Sequence, residues 1–248
     1  AFGVSRVVTA FRRHRSTGAP DSSGIIRRRL SVAGAVAALV VAGGLALVSS
    51  RFNNGAPVVD DFYTVPDNLP QEPGSLLRVE PFERGISESA EGWRILYTTT
   101  RDEGQPAVAS ALVVAPRETT GPAPVIAWAH GTTGVDQTCA PSVLEGTFST
   151  GALFSVDAVV EQGWVLVATD YVGLGTVGPH PSLIGQGEGR SVLDSVRAAR
   201  QMEGVSLQDE TVVWGHSQGG HAALWTGALA PSYAPDAGVV GVAALAPA

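Results

Sequence analysis

The chain has 248 residues, 44% of them hydrophobic and 16% charged, which is enough apolar material for a sizeable core. All 16 basic residues are Arg, so a phosphate loop that depends on Lys is excluded. Residues 1–51 hold eight Arg against one acid, Asp21, whereas residues 52–248 hold eight Arg against 22 acids, too acidic a balance to track a nucleic-acid backbone.

The basic first part contains Arg27-Arg28-Arg29 followed by an uncharged stretch, residues 30–48. A basic flank before an apolar run is the pattern of an export signal, and this run is also just long enough to span a bilayer. Val48-Ser49-Ser50 offers the small residues that a signal peptidase reads. Residues 1–50 are therefore expected to be a cleaved signal peptide or an uncleaved signal anchor, with membrane contact through the apolar run. A buried core helix is the third reading. The arginine pairs do not complete a twin-arginine motif. Export would leave residues 51–248 secreted or associated with the cell envelope.

Residues 52–90 are rich in Pro and acids without a clean period, and read as a lead-in that wraps the surface. From Trp93 the pattern becomes regular. Residues 93–99 and 107–115 read as a strand pair turning near Asp102-Glu103-Gly104. Residues 124–129, 164–169, 211–214 and 239–246 are short apolar strands, and residues 154–162, 188–202 and 219–230 have helical spacing. Apolar strands alternating with helices indicate an α/β class with a mostly parallel, doubly wound sheet. In such sheets chemistry gathers beyond the carboxyl ends of the strands.

Two segments in that position carry chemistry. Gly215-His216-Ser217-Gln218-Gly219 fits G-x-S-x-G, placed between a strand and a helix, which marks Ser217 as a candidate nucleophile. The N–H of Gln218, opening the helix, points to where an oxyanion would form. After the strand 124–129 comes His130-Gly131-Thr132-Thr133-Gly134. Thr132 N–H is the expected second oxyanion donor, with Gly131 allowing close approach and His130 positioning the loop. His216 and His221 are read as structural. Asp170-Tyr171, at another strand end, is expected to shape a rim of the substrate site.

Gly173-Leu174-Gly175-Thr176-Val177-Gly178 fits a dinucleotide fingerprint, but Pro179-His180-Pro181 follows at once and prevents the helix that such a fingerprint must open. No cofactor is implied. No pair of His or carboxylates has metal-ligand spacing, so no metal is implied either.

With AHGTTG (129–134), CAPS (139–142), ATDYVGLGTVGPHPSL (168–183) and GHSQGGHAAL (215–224), the sequence resembles the secretory lipases of the α/β-hydrolase superfamily over residues 90–246. The Lys-free, Gly/Ala/Val-rich composition has an actinobacterial character. The resemblance implies a secreted ester hydrolase acting on acylglycerols or related lipid esters, with a helical lid and a C-terminal part bearing the catalytic Asp and His. It also implies a disulfide partner for Cys139 in that part. After Ser217 the sequence holds one acid, Asp236, and one His, His221, so the order Ser, acid, His is not completed. Residues 51–248 are accordingly expected to be the N-terminal portion of an α/β-hydrolase domain whose sheet is incomplete at the C-terminus. An acyltransferase or peptidase on the same fold, or an inactive truncated hydrolase, is the alternative.

Overall fold

The computed structural model describes residue 39 and residues 41–43, 57–101, 104–118, 121–147 and 156–248. The chain divides into two units, Ala1–Asn54 and Gly55–Ala248. In the first unit only residues 39 and 41–43 are described, and they are helical. The export segment 30–48 otherwise lies outside the described residues. Among the described residues no helix is long and apolar enough to cross a membrane.

The second unit is built on a seven-stranded sheet: β1 (Leu76–Pro81), β2 (Ala90–Thr100), β3 (Pro106–Pro116), β4 (Ala123–Ala129), β5 (Val165–Thr169), β6 (Leu207–His216) and β7 (Val239–Leu245), in the order β1-β2-β3-β5-β4-β6-β7. The β5-β4-β6-β7 pairs are parallel and the other three are antiparallel, so five of the seven strands run one way. This is the expected α/β architecture. Its helices are α1 (Val156–Glu161), α2 (Gly185–Ala199) and α3 (Gln218–Tyr233).

Period-two alternation divides the apolar strands between two faces. Leu112, Val114, Ile126, Trp128, Leu166 and Ala168 pack with Val156, Val159 and Val160 of α1. Their neighbours Ala111, Val113, Val125, Ala127, Val165 and Val167 pack with Val192, Val196 and Ala199 of α2 and with Ala222 and Ala223 of α3. β3, β4 and β5 thus read as nearly continuous apolar runs because both of their faces are covered.

Three expectations are corrected. The lead-in contains an edge strand, β1, which pairs antiparallel with β2, and a short 3-10 turn at Asp61–Tyr63. The sequence of β1, LLRVEP, buries no residue fully and so carries little alternation. The helix expected at 188–202 begins at Gly185 and ends at Ala199. The helix expected to end at residue 230 continues through Pro231 to Tyr233.

A further correction concerns Asp170. It is fully buried and forms no part of an open rim. Its carboxylate accepts from the N–H of Ser142 at 2.9 Å and from the hydroxyls of Ser110 and Ser142. Ser142 Oγ in turn lies 2.8 Å from the Tyr63 hydroxyl, joining the lead-in to the network. Burial pushes the Asp170 carboxyl from 3.8 up to about 6. A carboxyl with a higher pKa folded than unfolded holds its proton more firmly in the folded state. Its contribution to stability is therefore full below pH 3.8 and is lost as pH rises through about 6, at a cost of roughly 3 kcal/mol. Asp170→Asn keeps one acceptor, and its amide can donate to the two serine hydroxyls. Thermal melts are expected to show the variant gaining on the wild type between pH 4 and pH 7. A difference in Tm that does not change with pH contradicts this.

Candidate active site

β4 and β6 are parallel neighbours in register, with Ala129 opposite Gly215, so the segments leaving their carboxyl ends emerge side by side. After β6 the chain turns into α3 in a single residue. Ser217 takes up the turn at φ 58° and ψ −122°, a backbone conformation that side-chain-bearing residues rarely adopt. Its side chain does not cap α3. The turn is closed by the Ser217 N–H donating to the Leu245 carbonyl at 3.0 Å and by the Ser217 carbonyl accepting from His221 N–H at 3.1 Å.

The flanking glycines are required by space. A Cβ on Gly215 would stand 1.9 Å from the Gly219 carbonyl oxygen, and one on Gly219 would stand 1.9 Å from the Ala129 carbonyl oxygen. On the other side, a Cβ on Gly131 would meet the His216 carbonyl oxygen at 3.2 Å and the Ser217 Cβ at 3.7 Å. The 130–134 loop therefore lies against the Ser217 turn, and the two sequence-predicted segments are brought together.

His130 is buried, with Nδ1 2.6 Å from the Gly131 carbonyl and Nε2 3.2 Å from the Asp170 carbonyl. Burial lowers its pKa. The Tyr171 hydroxyl donates to the His130 carbonyl at 3.0 Å, and the two rings lie 4.4 Å apart. Tyr171, with φ at 66°, thus serves the loop from beneath and does not form a rim. Thr132 is exposed at the tip of the approach. Gln218 occupies the first position of the 16-residue helix α3, where its N–H has no partner in the preceding turn.

Among the described residues no histidine hydrogen-bonds the Ser217 hydroxyl. His216 is exposed, and the ring of His221 lies 6.3 Å from that of Trp225 on α3. His180 Nδ1 is 3.1 Å from the Val172 carbonyl, and its Nε2 is 3.0 Å from Gln218 Nε2. Residues 173–178 form turns, not a helix. Among the described residues no three His, Cys, Asp or Glu side chains gather as metal ligands, and Cys139 is a free thiol.

Sequence reasoning missed two groups. One is the Tyr63–Ser142–Asp170 network beneath the loop. The other is Glu188, buried in the first turn of α2, whose Oε1 accepts from Gln218 Nε2 at 2.7 Å. The only trace of Glu188 in the sequence is an acid on a helix face that otherwise carries small and apolar residues.

The turn, the loop beside it and the sheet order define an α/β-hydrolase fold. Candida antarctica lipase A in its closed state shares that fold with a TM-score of 0.66 at 24% identity, over 75% of this chain and 45% of that one. A rice cell wall degrading esterase, LipA from Xanthomonas oryzae, matches with a TM-score of 0.58 at 27% identity, over 70% of this chain and 50% of that one. Residues 140–248 match the family model described as Secretory lipase. Similar curated proteins include Lipase A of Moesziomyces aphidis, 26% identical over 85% of this chain and 47% of the relative. Secreted triacylglycerol lipase LIP3 of Malassezia globosa is 31% identical over 81% of this chain and 46% of the relative. Both relatives are fungal, and the chain spans just under half the length of each.

Proposed function

We propose that this chain carries the nucleophile and the oxyanion-binding groups of a secreted serine lipase that hydrolyses acylglycerols or related lipid esters. The observation that carries this reading is Ser217, held at a strained strand-to-helix turn with the Gly131-Thr132 loop against it. Ser217 Oγ attacks the ester carbonyl carbon and gives up its proton to a base. The carbonyl oxygen becomes an oxyanion facing the N–H groups of Gln218 and Thr132, and collapse of the tetrahedral intermediate expels the alcohol. Water then repeats the sequence on acyl-Ser217 and releases the fatty acid. Among the described residues no histidine hydrogen-bonds the Ser217 hydroxyl, and this reading takes the base and its orienting acid from the C-terminal part that the secretory-lipase resemblance implies. The relatives' names, and the exposed apolar side chains of Leu183, Ile184 and Trp225 near this end of α2 and α3, favour a lipid ester over a polar one.

Fatty-acid release from a triacylglycerol emulsion by the full-length protein tests the reading. Steady release of free acid is expected, with slow turnover of peptide amides. Adding a short alcohol separates hydrolysis from transfer: predominance of the alkyl ester indicates an acyltransferase, and absence of ester turnover rejects the proposal.

A further inference from the structure

Glu188 is wholly inaccessible to solvent, yet neither the core nor the acyl-transfer steps above call for a carboxyl at that place. Its Oε1 accepts two hydrogen bonds, from Gln218 Nε2 at 2.7 Å and from the Leu183 N–H at 2.8 Å. Its Oε2 is buried with no hydrogen-bond partner among the described residues. An unpaired charge in that setting is costly, and burial accordingly raises the pKa of the carboxyl. The same Gln218 amide nitrogen lies 3.0 Å from His180 Nε2, which accepts when the His180 proton sits on Nδ1 against the Val172 carbonyl. Burial lowers the pKa of His180, which favours that neutral form. The Gln218 carboxamide is therefore gripped from α2 and from the 172–184 segment together.

The location of this grip gives it a consequence. Gln218 is the first residue of α3, where the backbone N–H has no partner in a preceding turn and the helix is free to fray. That N–H is the one assigned to the oxyanion, and its direction changes with any rotation of the Ser217–Gln218 peptide. Leu183, the other donor to Glu188, is itself held at φ 58°, so a single carboxyl oxygen fixes two irregular backbone positions.

We propose that Glu188 is a positioning residue of the Ser217 site: by holding the Gln218 side chain against α2 it fixes the oxyanion-facing N–H of Gln218. This rests on the acyl-Ser217 reading above. What the grip needs from Glu188 is an acceptor oxygen at Oε1, and a carboxamide supplies one equally well.

The test measures the acylation burst of the full-length protein with a p-nitrophenyl ester, alongside a thermal melt of each variant. A burst in the wild type that is absent in Ser217→Ala establishes the underlying reading. Failure at that step rejects the proposed function, and it is distinguishable from a failure of the Glu188 and Gln218 variants. Glu188→Leu is expected to acylate roughly 10- to 100-fold more slowly with KM within about twofold, a smaller loss than removing an oxyanion donor outright. Glu188→Gln, which keeps the acceptor, is expected to stay within about threefold of the wild type. Gln218→Met retains the backbone N–H and loses the grip from the other side. It is expected to match Glu188→Leu, with the double variant no worse than either single one. A folded Glu188→Leu or Gln218→Met that acylates at the wild-type rate overturns the proposal. So does Glu188→Gln as impaired as Glu188→Leu, or single losses that multiply in the double variant. If Glu188→Leu does not fold, the Gln218→Met and Glu188→Gln rates decide the matter alone.

Discussion

Ser217→Ala is expected to abolish covalent labelling of the full-length protein by a fluorophosphonate and to lower ester turnover by roughly 10⁴- to 10⁶-fold. Losing the nucleophile leaves only binding and the oxyanion donors, which accelerate hydrolysis modestly by themselves. The substitution removes one oxygen and leaves the hydrogen bonds that close the turn in place, since those run through the Ser217 N–H and carbonyl. The melting temperature is expected to change little. Activity lost without stability lost is the signature of a chemical role. Labelling that persists in the variant assigns the reaction to another residue and ends the case for Ser217.

Gly219→Ala is expected to have the opposite character, destroying the fold around the site along with its reactivity. The added methyl would lie 1.9 Å from the Ala129 carbonyl oxygen and 2.6 Å from its carbon. Those are backbone atoms of a central strand, so no side chain can rotate out of the way. Relief requires β4 and the start of α3 to move apart, disrupting the Ala127, Ala129, Ala222 and Ala223 packing between them. A loss of about 3–5 kcal/mol follows from overpacking of this severity, enough to leave a marginally stable domain substantially unfolded. Chemical denaturation of the variant measures it. A melting temperature within a few degrees of the wild type would mean that the turn is looser than its contacts imply.

The parts of the site that come directly after strands are legible in the sequence because two local signals coincide there. Glycines at 215 and 219 mark a turn that tolerates no Cβ, and apolar runs before it mark a strand covered on both faces. Together they locate Ser217, Gln218, Gly131 and Thr132. The supporting residues are not legible, because their signals are tertiary. Asp170 stands at a strand end just as a rim residue would, and only the Ser110 and Ser142 hydroxyls around it explain its burial. Glu188 has an ordinary helical setting, and its partner Gln218 lies 30 positions away. β1 is hidden for a related reason: an edge strand with one half-covered face carries little apolar alternation for sequence to display.

The pairing of Ala129 with Gly215 joins positions 86 residues apart and brings the loop against the turn. Until that long loop closes, neither half of the site has geometry of its own, because a peptide turn strained at Ser217 is not populated in an open chain. Recovery of phosphonate labelling after dilution from denaturant should therefore keep pace with formation of the central sheet and not precede it. Reactivity at Ser217 then becomes a clock for closure of that long loop, readable at a single atom.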